Sequence, residues 1–243
     1  MSIYLDIKYA LADAACLAGE PFLPAGFNKY CTRFIDGFFV TFELLLASCL
    51  VGVFLAIVLV LMQLSKNTLL SKFVTVYSYV FRGTPLLVQL WIVYFGLGSY
   101  GESGWGVLWP FFKDGWNIGL LVLTLNTSAY VAEILRGALV NINKGQMEAA
   151  KVCGMSWLLA MRRIMLPQAF RIAWPAYGNE VILLMKGSAL VSTITVLDLM
   201  GQTRTVFART YSLDVYVYSA IMYLVLAGLI TLGFKLVERR WTY

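Results

Sequence analysis

Seven polar or charged side chains stand among otherwise apolar stretches: Asn126, Tyr130, Glu133, Asn179, Glu180, Lys186 and Asp198. Ionisable groups at membrane depth are expensive. Where they persist they face a bundle interior or an aqueous path and mark substrate or ion routes. These seven are therefore the candidate substrate or pathway contacts. Asn179 and Lys186 are seven residues apart and share a helix face, with Glu180 about 100° round from Asn179. The carboxylates of Glu133 and Glu180 suit a cationic or α-amino group by Coulomb attraction in a low-dielectric site. The plainer alternative is structural: ion pairs that hold helices together. Glu133 and Arg136, at i,i+3, already share a face. A further group, Arg82-Gly83-Thr84-Pro85, breaks the apolar run from Leu69 to Leu97. It reads either as one long kinked span or as an interfacial helix feeding a shorter span, with a gating role or a purely structural one.

Bond-making chemistry has no residues to carry it. The chain contains no histidine, which excludes imidazole metal sites and proton relays. Cys16, Cys31, Cys49 and Cys153 make no Cys-x-x-Cys pair, which argues against a zinc or redox centre. Cys16 and Cys31 could pair if the N-terminus lies on the oxidising side of a membrane; isolated cysteines of apolar segments are otherwise packing residues. The sequence has no glycine-rich nucleotide loop, no nucleophile–base pair and no metal cluster. No metal or cofactor is expected in this chain.

The segment from Glu148 to Pro167 differs in kind from its surroundings. It is polar and amphipathic, set between long apolar runs, and reads as two short helices with a hinge. The first covers about Gln146 to Cys153, and Gly154 stops it. Ser156 can cap the second, which Pro167 is expected to interrupt. The pair is too short and too charged to cross a bilayer. Two readings follow: an interfacial hairpin with Met161, Ile164 and Met165 in lipid, or a docking surface for a soluble partner.

The elements that position these groups are membrane spans. The chain has 243 residues, 60% hydrophobic and 13% charged, against about 25% charged in ordinary soluble domains. Spans are expected from near Phe38 to Ser65, across Leu69–Leu97, from Trp116 to Leu139, from Ala169 to Met200 and from Val215 to Phe234. Pro175 and Gly187 weaken the fourth as a single helix. The run Gly98–Gly115, with five glycines and flanking tryptophans, reads as an interfacial loop. Residues 1–36 form an N-terminal arm: no cleavable signal is apparent, Leu5–Leu17 reads as an amphipathic helix, and Pro21–Gly26 breaks it. Residues 37–243 form the membrane domain.

Five spans put the termini on opposite sides. With the C-terminus inside, the cytoplasmic side holds eleven basic residues: Lys66, Lys72, Arg136, Lys144, Lys151, Arg162, Arg163, Arg171, Lys235, Arg239 and Arg240. The outer side holds six: Lys8, Lys29, Arg33, Lys113, Arg204 and Arg209. The bias predicts an N-out, C-in protein with the Glu148 loop in the cytoplasm. It also accounts for the net charge of +6 without nucleic acid, through topology and anionic membrane lipid.

The spacing Glu148-Ala149-Ala150, Gly154, Ile164-x-Leu166-Pro167 resembles the EAA loop of permease subunits from bacterial ATP-binding-cassette importers. Phe81–Pro85 with Gln89, Thr124–Tyr130, Asn179-Glu180 and Glu238-Arg239-Arg240-Trp241 are similar to the polar amino acid branch, notably its histidine/lysine/arginine/ornithine and opine permeases. The likeness covers about Gly37 to Trp241. It implies an all-α membrane protein of the type I ABC importer permease fold, with a cytoplasmic coupling helix in the loop at about 141–167. Glu148, Ala149, Ala150, Gly154, Leu166 and Pro167 would couple to an ATPase dimer that holds the ATP and magnesium. It further implies a second permease subunit, with a heterodimer favoured over a homodimer, a periplasmic solute-binding protein, and a multi-pass location in the bacterial inner membrane. The work implied is import of polar or basic amino acids or opines by alternating access. The alternative is a secondary transporter or channel without an ATPase, for which an internal repeat is expected and none is visible.

Overall fold

The computed structural model describes Cys16 and residues 28–241. Helices α1 (Cys31–Gln63), α2 (Thr68–Gly83) and α3 (Leu86–Trp91) come first. A π turn, Ile92–Leu97, continues α3. Two short helices follow, α4 (Gly101–Trp105) and α5 (Trp109–Phe112), and then α6 (Gly115–Val140). The polar segment holds α7 (Lys144–Val152) and α8 (Trp157–Ala160), and a π turn (Met161–Met165) joins α8 to α9 (Leu166–Ser188). A 3₁₀ turn (Ala189–Ile194), α10 (Leu199–Thr210) and α11 (Asp214–Trp241) complete the order. Among the described residues there is no strand.

Three helices are long and apolar enough to cross a membrane by themselves: Cys31–Gln63, Gly115–Val140 and Asp214–Arg240. Two bent pairs pass the same test, Thr68–Gly83 with Leu86–Leu97 (103°) and Trp157–Ile194 with Leu199–Thr210 (51°), which makes up to five spans. Each break has a local cause. Pro85 pushes the residue before it out of the helical region, and Thr84 is extended (φ −111°, ψ 143°), ending α2. Thr195 is left-handed (φ 71°) and ends the 3₁₀ turn, after which Asp198 starts α10 by accepting from the Gly201 amide at 2.9 Å.

Two expectations about proline are corrected. Pro167 does not interrupt the second short helix; it occupies the first turn of α9, and the preceding π turn carries the helix through it. Pro175 lies inside α9 without ending it. The Gly98–Gly115 run is also corrected, from loop to a series of short helical turns. The expected helix Leu5–Leu17 and break Pro21–Gly26 lie outside the described residues, apart from Cys16, which forms a disulfide with Cys31.

The chain forms two compact units. The first comprises residues 1–46, 90–120 and 185–226. Its core gathers Phe34, Leu199, Val206 and Val215. Thr41 fastens it: the hydroxyl donates to the Gly37 carbonyl and accepts from the Leu199 amide, both at 3.0 Å. A Cβ at Gly37 would sit 2.8 Å from the Leu199 Cα, so this close approach requires glycine. The second unit comprises residues 47–89, 121–184 and 227–243. Its core joins α1, α2, α6 and α9 through residues such as Ala56, Val74, Ala132, Met161 and Ala169.

Candidate functional site

The second unit presents helix α7 with two unlike faces. The Asn143 side chain caps its start, accepting from Gly145 at 2.9 Å. At its end, Met155 N–H donates to Ala150 O (3.0 Å) and Gly154 N–H to Lys151 O (2.9 Å). That is a Schellman arrangement, and it needs a left-handed residue, which Gly154 supplies with φ +75°. Ser156 then caps α8 by accepting from Leu159 at 3.3 Å.

The inner face of α7 is made by Met147, packed on the core, and Ala150, 3% exposed. The outer face carries Glu148, Ala149, Lys151 and Val152, all exposed. Val152 is 87% exposed and Leu158 on α8 is 70% exposed, with Trp157 beside it. Apolar side chains exposed among charged ones on a polar, non-spanning segment suit contact with a protein partner or a membrane surface. The six residues of the loop motif therefore divide. Glu148, Ala149 and Gly154 are exposed; Ala150 seats α7 on the unit; Leu166 packs against the core; Pro167 opens α9. Met161 and Met165 belong to the core, so the lipid-inserted hairpin is set aside for them.

The break at Pro85 is clamped to α6 by side chains. Gln89 Nε2 donates to Phe81 O (2.9 Å), Thr84 O (3.0 Å) and Thr84 Oγ1 (2.8 Å). Asn126 donates to Phe81 O (3.1 Å) and to Gln89 Oε1 (3.2 Å). The carbonyls freed by the break are thus satisfied. Arg82 stands over the Tyr130 ring at 5.5 Å, its carbonyl accepts from the Tyr130 hydroxyl at 3.4 Å, and its guanidinium lies 3.6 Å from Glu133. Arg136 pairs with Glu133 as well. Glu133 therefore faces two arginines, and its charge is already balanced. Gly83, at the break, faces open space.

The remaining pathway candidates separate by exposure. Glu180 is buried at 6% exposure on α9, while its neighbour Asn179 is exposed. In the first unit, Lys186 is exposed and Asp198 is fully enclosed, its carboxylate engaged as the α10 cap. Two cavities of about 100 and 300 Å³ in the second unit are lined by groups such as Val53, Leu135, Leu139 and Phe170. Neither offers the charged partners that a zwitterionic solute needs.

Sequence reasoning missed two residues of this region, Gln146 and Gln168, whose side chains bond to each other. No spacing rule connects positions on separate helices. The only signal was a pair of amides on the inner side of an otherwise apolar seam.

Comparison with known proteins agrees with this geometry. Residues 48–243 match the family model described as binding-protein-dependent transport system inner membrane component. The octopine transport system permease protein OccM of Rhizobium radiobacter is 38% identical, over 90% of this chain and 89% of that protein. The histidine/lysine/arginine/ornithine transport system permease protein HisM of Salmonella typhimurium is 39% identical, over 84% and 88% of the two chains. Among solved structures, an amino acid ABC transporter crystallised with histidines superposes with a TM-score of 0.80 at 35% identity, covering 88% of this chain and 97% of that one. The MetNI methionine ABC transporter in an inward-facing form shares the fold, with a TM-score of 0.72 at 18% identity.

Proposed function

Because the chain belongs to the family of binding-protein-dependent transport system inner membrane components, we propose that it is the membrane-spanning subunit of an ATP-driven importer of polar amino acids or opines. Its relatives named for octopine and for histidine, lysine, arginine and ornithine support that substrate class. The observation that carries the mechanism is the outer face of α7, which presents Glu148, Ala149 and Val152 to solvent on a segment too short to span a bilayer. An ATPase dimer, which would hold the ATP and magnesium, seats on that face and drives the spans between inward-open and outward-open states. A periplasmic binding protein delivers solute on the other side, and a second, similar permease completes the pore as a heterodimer.

In this reading the chain lies in the bacterial inner membrane with its N-terminus outside. Two independent features support the orientation: the excess of basic residues on the α7 side, and the Cys16–Cys31 disulfide, which persists only in an oxidising compartment. Glu180 is the carboxylate that meets the solute's amino or cationic group, with Asn179 beside it on the same helix. Glu133 has its partners already and Asp198 is a helix cap; both serve structure.

Reconstitution tests this. The chain, the second permease, the ATPase and the binding protein together in liposomes should import labelled arginine or octopine with ATP hydrolysis, and Glu180→Gln should depress uptake at least tenfold. Uptake without the ATPase, or unchanged uptake with Glu180→Gln, would refute the respective claim.

A further inference from the structure

We infer that the hydrogen bond between Gln168 and Gln146 is the link that carries movement of α7 into α9; this rests on the docking role of α7. The chain joins α7 to α9 through the Gly154 turn, the short helix α8 and a π turn. Of these the Gly154 turn alone bends the chain, since α8, the π turn and α9 run on as one helix, so that turn is the compliant point of the connection. Across it, Gln168 Nε2 in the first turn of α9 donates to Gln146 Oε1 in the first turn of α7.

The two halves of the seam resist different loads. Met147 and Ala150 press α7 onto the core and resist compression. Apolar contact is non-directional and lets one helix slide along another. A hydrogen bond is directional and fixes register. Gln146 precedes Ala150 by one turn, so the bond lies on the inner face, away from the exposed Glu148, Ala149, Lys151 and Val152. Gln168 is in turn followed by Ala169, which is buried among the core residues of α9. From Gln168 the same helix runs to Glu180, about 18 Å along at 1.5 Å per residue. A push received on the outer face of α7 therefore reaches the buried carboxylate through one amide pair and one helix. Gln146 and Gln168 are positioning residues; neither touches solute or nucleotide.

The test uses the complete transporter in liposomes, with its ATPase and binding protein, and reads three quantities: ATPase copurification, ATP hydrolysis, and solute imported per ATP hydrolysed. Gln146→Met and Gln168→Met keep side-chain length and remove the bond. Each should leave copurification and hydrolysis at the unaltered level and lower solute imported per ATP about fivefold, the effect of a modest coupling energy. Combined, they should lose little more than either alone, because both remove one interaction. The charged pair Gln146→Glu with Gln168→Lys should recover most of the ratio. An unchanged ratio in both single variants overturns the inference, as does loss of the ATPase from either, since the pair would then shape the docking face. Glu148→Lys tests the reading beneath it separately: if the ATPase stays bound and uptake is normal, the docking role of α7 fails, whatever the amide pair does.

Discussion

Gly154 offers a sharp test of how α7 is built. Its φ of +75° is required by the two amide bonds that close the helix, and a Cβ there meets nothing within 4 Å. Steric crowding is thus absent, and backbone strain is the whole of the expected effect. A non-glycine residue in the left-handed region costs about 1–2 kcal/mol, less for asparagine. In the free subunit the end of α7 can relax into another turn and shed that strain. Docking demands the closed turn, so the strain reappears as lost affinity. Gly154→Ala should weaken binding of the ATPase roughly 5–30-fold, the ratio equivalent to that energy, and Gly154→Asn by clearly less. Gly154→Asp adds a negative charge to an exposed end of α7 and should be weaker still. The assay is an equilibrium titration of the purified ATPase onto the permease in nanodiscs. If Ala and Asn weaken binding equally, side-chain bulk at the contact is responsible and not φ. If neither changes it, the turn does not matter to docking, and the reasoning fails.

Further outcomes follow from other contacts. A Cβ at Gly52 of α1 would collide with the Thr127 methyl of α6, so Gly52→Ala should destabilise the second unit by about 1–3 kcal/mol. Thermal unfolding should show the loss, and Thr127→Ser should restore part of it; an unchanged midpoint would contradict the packing. Gln89→Leu removes a hub that serves Phe81, Thr84 and Asn126 and should lower stability by about 1–3 kcal/mol, seen as a lower midpoint and faster amide exchange at the break. An impermeant maleimide added to intact cells should label Cys16 and Cys31 only after reduction. It should label the exposed Cys153 only from the other side of the membrane, in cells that express the chain without an ATPase. The reverse pattern would invert the proposed topology.

Much of this was legible in the chain, for identifiable reasons. The five-span estimate agrees with the three long helices plus two bent pairs, because uninterrupted apolar windows are a strong local signal. The stop at Gly154 and the cap at Ser156 were legible as well, since each depends on one residue type in one backbone state. So was the Glu133–Arg136 pair, which rests on helical spacing. Prolines misled. Pro167 was read as an interruption and Pro175 as a weak point, yet a π turn and a first-turn position accommodate the former, and α9 passes through the latter. The glycines between Gly98 and Gly115 hid short helical turns held by contacts such as the stacked rings of Trp105 and Phe112. At the site, adjacent alanines could not be told apart. Ala149 faces out and Ala150 packs in, a choice set by how α7 lies on the core. The second partner of Glu133, Arg82, sits on another helix and could not be read from spacing either.

The claim on which the rest depends is that the outer face of α7 receives the ATPase, and not the turn between α1 and α2. Crosslinking from single cysteines in the assembled complex measures this directly. Ala149→Cys and Val152→Cys on α7 should each crosslink to the ATPase in high yield, while Asn67→Cys in the α1–α2 turn should not. Crosslinks from position 67 with none from 149 or 152 would contradict the account.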